Sequence, residues 1–185
     1  MKANVNNLAY IGSKPGAGNS ERDSDAWFTP KIYTKMVKDV LGLIELDPFS
    51  SDFGNSYVEA KRYINIEQDA FEAPWFDNEA GSVFMNPPYG RGLVNKAVDI
   101  FIENWVKGNI TEAIVLVNNA TETKWFHALL KESASICLPV GRIAFENNDG
   151  KNVSGNTRGQ VFLYFGDNKS HFSAVFNKIG ISLAL

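Results

Sequence analysis

The chain has 185 residues, 44% of them hydrophobic and 21% charged, which is enough to bury one substantial core and too little for two. No apolar run approaches the ~20 residues a membrane span needs, and the opening stretch MKANVNNLAYIGSKPGAGNS lacks the apolar segment of a secretory signal; a soluble, cytoplasmic, single-domain protein is expected. One cysteine, Cys137, and two histidines, His127 and His171, speak against a disulfide framework and a zinc cluster, while a formal charge of −3 disfavours nonspecific coating of nucleic acid but allows a local basic patch.

Residues 1–26 are rich in Asn, Gly, Ser and charge and show neither helical nor strand periodicity, so they read as a flexible arm. Gly12, Gly16 and Gly18 do not make a phosphate loop, because no Lys-Ser/Thr pair follows and no apolar strand feeds them. The domain is expected to span residues 27–185. Thr29 is placed to cap a helix with Pro30 at its first position, and Ile32, Tyr33, Met36, Val37, Val40 and Leu41 fall on one face up to Gly42. Leu43 to Asp47 reads as a short buried strand ending at an acidic residue, with a Ser/Gly/Asn-rich loop after it. Ser82 to Met85 is a second apolar strand, stopped by Asn86-Pro87-Pro88-Tyr89-Gly90. A helix over Leu93 to Val106, a strand over Ala113 to Val117, a helix over Thr121 to Leu130 and a strand over Ser135 to Leu138 follow. This alternation predicts an α/β fold with a mostly parallel sheet and helices on both faces. Gln160 to Phe165, a short helix around His171 to Lys178, and Ile181 to Leu185 predict an antiparallel edge.

The residues richest in chemistry are Asn86, Pro87, Pro88 and Tyr89. Each proline biases the residue before it toward extended backbone, so the turn is stiff. The Asn86 carboxamide oxygen and the Pro87 carbonyl, free of a strand partner, set two acceptors side by side, and two acceptors can hold one NH2 group. Such a pair suits a reaction in which the exocyclic amine of a base attacks an electrophilic carbon. The lone pair of that amine is delocalised into the ring, so acceptors that draw the nitrogen toward tetrahedral geometry serve better than a strong base. Tyr89 offers a ring for stacking, worth ~1–3 kcal/mol, against the few kcal/mol that extruding a base costs.

The chain resembles the phage-type DNA adenine-N6 methyltransferases, which use S-adenosylmethionine. The resemblance covers about residues 27 to 180 and is carried by Trp27-Phe28-Thr29-Pro30, Leu46-Asp47-Pro48-Phe49-Ser50, Asp69 with Trp75, Asn86-Pro87-Pro88-Tyr89-Gly90, Trp125-Phe126 and Gly141-Arg142-Ile143-Ala144-Phe145. It implies a Rossmann-like methyltransferase fold, with Asn86, Pro87, Pro88 and Tyr89 as the catalytic loop that holds a flipped adenine. It further implies that Trp27, Thr29 and Pro30 lie on the cofactor side, where a helix N-terminus receives the methionine carboxylate, and that Asp47 accepts hydrogen bonds from S-adenosylmethionine. The usual glycine-rich turn after the first strand is absent, only Gly54 being present, and Phe49 and Ser50 stand in its place. The ribose-binding acid is ambiguous among Glu59, Glu67 and Asp69, with Asp69 favoured.

Arg142 and Arg158 bracket a polar stretch containing Asn147 and Asn148. Asn can pair with adenine edges and Arg with phosphate or guanine, which makes a DNA-contacting loop of these four; a solvated loop has the same composition. Trp75 and Trp125 are expected to be packing residues, Cys137 a buried thiol, and His127 no part of a hydrolase triad. The reading is methyl transfer to N6 of adenine in double-stranded DNA, without a metal, by a chain taken as a monomer. With one domain, a short or relaxed recognition sequence is expected. Two readings compete: N-methylation of RNA or protein glutamine, and an inert nucleic-acid-binding module of the same fold.

Overall fold

The computed structural model describes residues 27–185 apart from 66, 78, 148 and 153–155; the expected N-terminal arm and Asn148 lie outside the described residues. Helix α1, Lys31–Leu41, buries Met36, Val37 and Leu41 and ends at Gly42, whose φ of +69° suits glycine and whose N–H donates to the Lys38 carbonyl. The expected Thr29 cap is not formed. The helix starts one residue later than expected, so Pro30, which has no side chain to cap with, takes the flanking position, and the Thr29 hydroxyl instead accepts from Asn86 Nδ2 at 3.3 Å.

Strand β1 is reduced to Leu46–Asp47. The Ser/Gly/Asn-rich segment after it, expected as a loop, contains helix α2, Asp52–Val58, started by the Ser51 hydroxyl accepting from the Gly54 N–H at 3.0 Å. Strand β2, Arg62–Tyr63, is too short to carry a periodic signal. Then come β3, Gly81–Met85; α3, Leu93–Val106; β4, Ile110–Asn118; and α4, Lys124–Glu132, which is capped by Thr123. The chain continues with β5, Ser135–Pro139; β6, Gln160–Phe165; α5, Lys169–Phe176; and β7, Gly180–Ala184.

The strands form one sheet in the order β2-β1-β3-β4-β6-β5-β7. Pairings among β2, β1, β3 and β4 are parallel; those of β4 with β6, β6 with β5 and β5 with β7 are antiparallel. The antiparallel part therefore takes in half of the strand pairings. Side chains alternate along β4: Ala113, Val115 and Val117 join the core under α3 and α4, whereas Ile114 and Leu116 join that under α1, α2 and α5. Both faces are thus covered by helices, as the sequence predicts.

The chain passes from β1 to its neighbour β2 and then returns to the other side of β1 as β3. Outside the carboxyl ends of β1 and β3 this reversal opens the crevice in which α/β sheets bind ligands. Asp47 ends β1, and Asn86 follows β3.

On the far face, Phe172 is fully buried, stacked on Tyr164 at 5.0 Å and on Phe176 at 4.5 Å between ring centroids. Phe172→Ala should lower unfolding stability by about 3–5 kcal/mol through lost contact and a residual cavity. A urea midpoint unchanged from the parent chain would contradict this.

Candidate active site

The crevice is lined by Trp27, Phe28, Thr29, Asp47, Phe49, Ser50, Gly54, Val58, Phe84 and Asn86. It joins most of the residues expected on the cofactor side to the first residue of the Asn-Pro-Pro-Tyr turn. Phe28, Gly54, Val58 and Phe84 are lining residues that sequence reasoning missed; only their neighbours in the motifs hinted at them. The enclosed space is narrow, about 30 Å³.

Asp47 is the buried charge of the site. It is 4% exposed, and no ion pair reaches it among the described residues. Burial pushes its carboxyl up to about 7, although the Ser50 hydroxyl and the Phe49 N–H, 3.3 Å from Oδ1, favour the ionised form. A carboxylate raised by desolvation and facing a crevice is poised to gain from a cationic or strongly donating ligand.

Asn86 is oriented by Thr29. Its Nδ2 donates to Thr29 Oγ1 at 3.3 Å, which leaves Oδ1 as the end available to accept. Pro87 and Pro88 are buried beyond the end of β3 and hold the backbone there. Among the described residues no hydrogen bond engages the Pro87 carbonyl. Tyr89 closes the turn. Its hydroxyl accepts from the Asn118 N–H at 2.7 Å, its ring meets Trp125 edge-on at 6.2 Å, and burial pushes its phenol up. Arg158 lies near enough for its charge to pull that phenol part of the way back. Trp125, expected to be packing alone, also braces the Tyr89 ring.

A strap through Trp27 and Phe28 forms one wall of the crevice. Phe28 exchanges both backbone hydrogen bonds with Glu146, at 2.7 and 3.0 Å. Its ring lies 4.7 Å from Phe53, and Trp27 stacks on Phe145 at 6.3 Å. The segment after Arg142 is thereby laid against the Trp27–Phe28 wall of the crevice. Gly54 fits beneath this strap: a Cβ there would stand 3.2 Å from the Phe28 ring and 3.1 Å from Ser50 Oγ.

Some expected residues are not brought to the crevice. Asp69 adopts φ +53° and accepts from the Phe71 N–H at 3.1 Å, so its carboxylate shapes its own turn; the crevice lining does not include it. Of the alternatives, Glu59 pairs with Lys38 at 2.6 Å and Glu67 is exposed. Asn147 Oδ1 accepts from the N–H groups of Asp149 and Lys151, both at 3.0 Å, which makes it a turn former rather than a free base reader. Arg142 and Arg158 are exposed and make no ion pair among the described residues. Trp75 is buried with its indole N–H on the Ala70 carbonyl, and Cys137 is a buried free thiol pushed up to about 11 by burial, so both are packing groups as expected. No group of three or more His, Cys, Asp or Glu able to hold a metal occurs among the described residues. Among the described residues no helix is long and apolar enough to cross a membrane.

Comparison with curated proteins and with solved structures gives no match. A model of the family described as DNA N-6-adenine-methyltransferase (Dam) matches residues 17–180, most of the chain. The family resemblance read from the sequence is borne out, and the chain belongs to the DNA N-6-adenine-methyltransferase (Dam) family.

Proposed function

We propose that this protein has a Rossmann-like methyltransferase fold and transfers a methyl group from S-adenosylmethionine to N6 of an adenine flipped out of double-stranded DNA. The observation that carries this reading is the Asn86 carboxamide, whose NH2 is taken by Thr29 so that its oxygen is left to accept, at the crevice that Asp47 shares. When bound, S-adenosylmethionine supplies an electrophilic methyl on a sulfonium centre. The donor set fits it: Asp47 offers a buried carboxylate without a cationic partner to an ammonium group, and Trp27, Phe28, Phe49 and Phe84 offer apolar walls to the remainder. Ser50 and the Thr29-Pro30 entry to α1 complete the cofactor side, and admission of a nucleoside requires the Phe28–Glu146 bridge to open. Asp69 would reach a ribose only if its turn were rearranged.

On the substrate side, Asn86 Oδ1 and the Pro87 carbonyl accept the two hydrogens of the adenine amine. They favour the pyramidal nitrogen over the planar one, matching the positive charge that develops during attack. Pro88 keeps the two oxygens at a fixed separation. Tyr89 presents its ring to the flipped base. Arg142 and Arg158 meet phosphates or guanines, with Asn147 and Asn148 on the same loop. Holding the amine in line with the methyl donor would supply much of the acceleration.

The direct test is incubation with labelled S-adenosylmethionine and unmethylated DNA, RNA or protein, followed by base-resolution readout. Label at adenine N6 in DNA is expected; label in RNA or on glutamine instead, or DNA binding without any thermal shift by the cofactor, would overturn the proposal.

Two predictions follow the division of roles. Asn86→Ala should reduce kcat about 10²–10³-fold, the cost of one lost charge-matching group, while calorimetry finds S-adenosylmethionine bound as before. Asp47 must ionise to receive an ammonium, so cofactor affinity should fall about tenfold per pH unit below about 7; Asp47→Asn should bind weakly and without that slope. Because Asp47 holds its proton more tightly folded than unfolded, burying it destabilises the chain as pH rises from about 4 through about 7. Asp47→Asn should therefore unfold at higher urea than the parent at pH 8 and at similar urea at pH 4.

A further inference from the structure

At the last rung between β4 and β6 the register sets Asn118 opposite Gln160. Both are buried, at 3% and 5% exposure, in strands whose adjacent positions, Val117 and Val161, are buried valines. An apolar pair would serve the core as well, since replacing both partners of a buried hydrogen bond by apolar groups can be nearly neutral. The Gln160 amide is instead used at both ends, and its partners lie at one end of the sheet.

Gln160 Nε2 donates to Asn118 Oδ1 at 3.0 Å and to the Arg158 carbonyl at 2.9 Å, with Asn156 Oδ1 at 3.4 Å. Its Oε1 accepts from Asn156 Nδ2 at 3.0 Å and from the Ile143 N–H at 3.3 Å. Asn156 Nδ2 also donates to the Ile143 carbonyl at 2.9 Å. One side chain thus clamps both ends of the loop between Arg142 and Arg158. On the other side Asn118 donates its own N–H to the Tyr89 hydroxyl at 2.7 Å. An unbroken path of hydrogen bonds, wholly within described residues, joins the turn to the feet of that loop.

We infer that Gln160, acting through Asn118, is a positioning residue that fixes the arginine-bearing loop relative to Tyr89, so that duplex DNA is gripped in register with the base-holding turn. This rests on the DNA-modifying reading above. A shift of either loop foot must strain an amide whose partners are all committed, and low dielectric around the pair makes such strain costly.

The test uses the full chain with Gln160→Met, which keeps length and shape but makes none of these hydrogen bonds. Three quantities are measured: the Kd for a fluorescent unmethylated duplex by anisotropy, the Kd for S-adenosylmethionine by calorimetry, and the ¹⁹F signal of 3-fluorotyrosine at position 89, identified by its loss in Tyr89→Phe. Duplex affinity is expected to fall at least tenfold, cofactor affinity to stay within twofold, and the Tyr89 signal to move. In the double variant, Tyr89→Phe should add less to the DNA loss than it does alone. An unmoved Tyr89 signal, unchanged duplex affinity, or equal losses for DNA and cofactor would each overturn the inference. Should Gln160→Met not fold, Asn118→Ala, which removes one bond and leaves the loop clamp, is measured in the same way with the same criteria. These readouts need no turnover, so a parent chain that binds duplex but transfers no methyl to DNA would refute the proposed activity and leave this inference standing or falling on its own.

Discussion

A carboxamide has an accepting end and a donating end of nearly the same shape, and a site that must hold an amine needs the accepting end turned outward. In this protein that choice is made by one hydroxyl. Thr29 receives the Asn86 NH2 group, and everything proposed for the turn depends on the oxygen being left free. Thr29 does not cap α1, because the helix begins at Lys31 and leaves Pro30 at the capping position. A residue that looks like a helix signal in the sequence is a link between the two halves of the site.

The second constraint is topological. β1 and β3 are neighbours whose connections leave in opposite directions, so the backbone does not close over their carboxyl ends. Asp47 is carried into that gap at the end of a two-residue strand and pays the desolvation cost of a buried carboxyl, visible in its raised proton affinity. Nothing among the described residues neutralises it. The strap through Phe28, bonded to Glu146, draws the loop beyond Arg142 toward the same gap, so the Trp27–Phe28 wall of the crevice and the polar loop share a boundary. Tyr89 is held by backbone and ring contacts rather than left free, which makes it a rigid platform.

Much of this was legible without coordinates because it depends on local chemistry. Helices α1, α3, α4 and α5 carry apolar residues at helical spacing, β3 and β4 are apolar runs, and the two prolines after Asn86 admit few backbone states. Helix α2 was not legible: Gly54, Asn55 and Ser56 are weak helix formers, and the helix persists because Ser51 caps it and Val58 is buried under the sheet. The two-residue strand β2 is too short for any period to register. Asp69 and Asn147 illustrate the opposite error, since acidic and amide side chains that could meet a ligand are equally good at closing their own turns.

By itself the sequence determined the composition of the Asn-Pro-Pro-Tyr turn, the acidic end of the first strand and the alternation of strands and helices, because each is written in adjacent residues. The tertiary structure alone decided that Thr29 meets Asn86 across 57 positions of chain, that Gln160 meets Asn118 across 42, and that Asp47 is deprived of water. Those facts arise from strand order and burial, and a linear pattern holds no record of which distant residue will supply a missing hydrogen-bond partner.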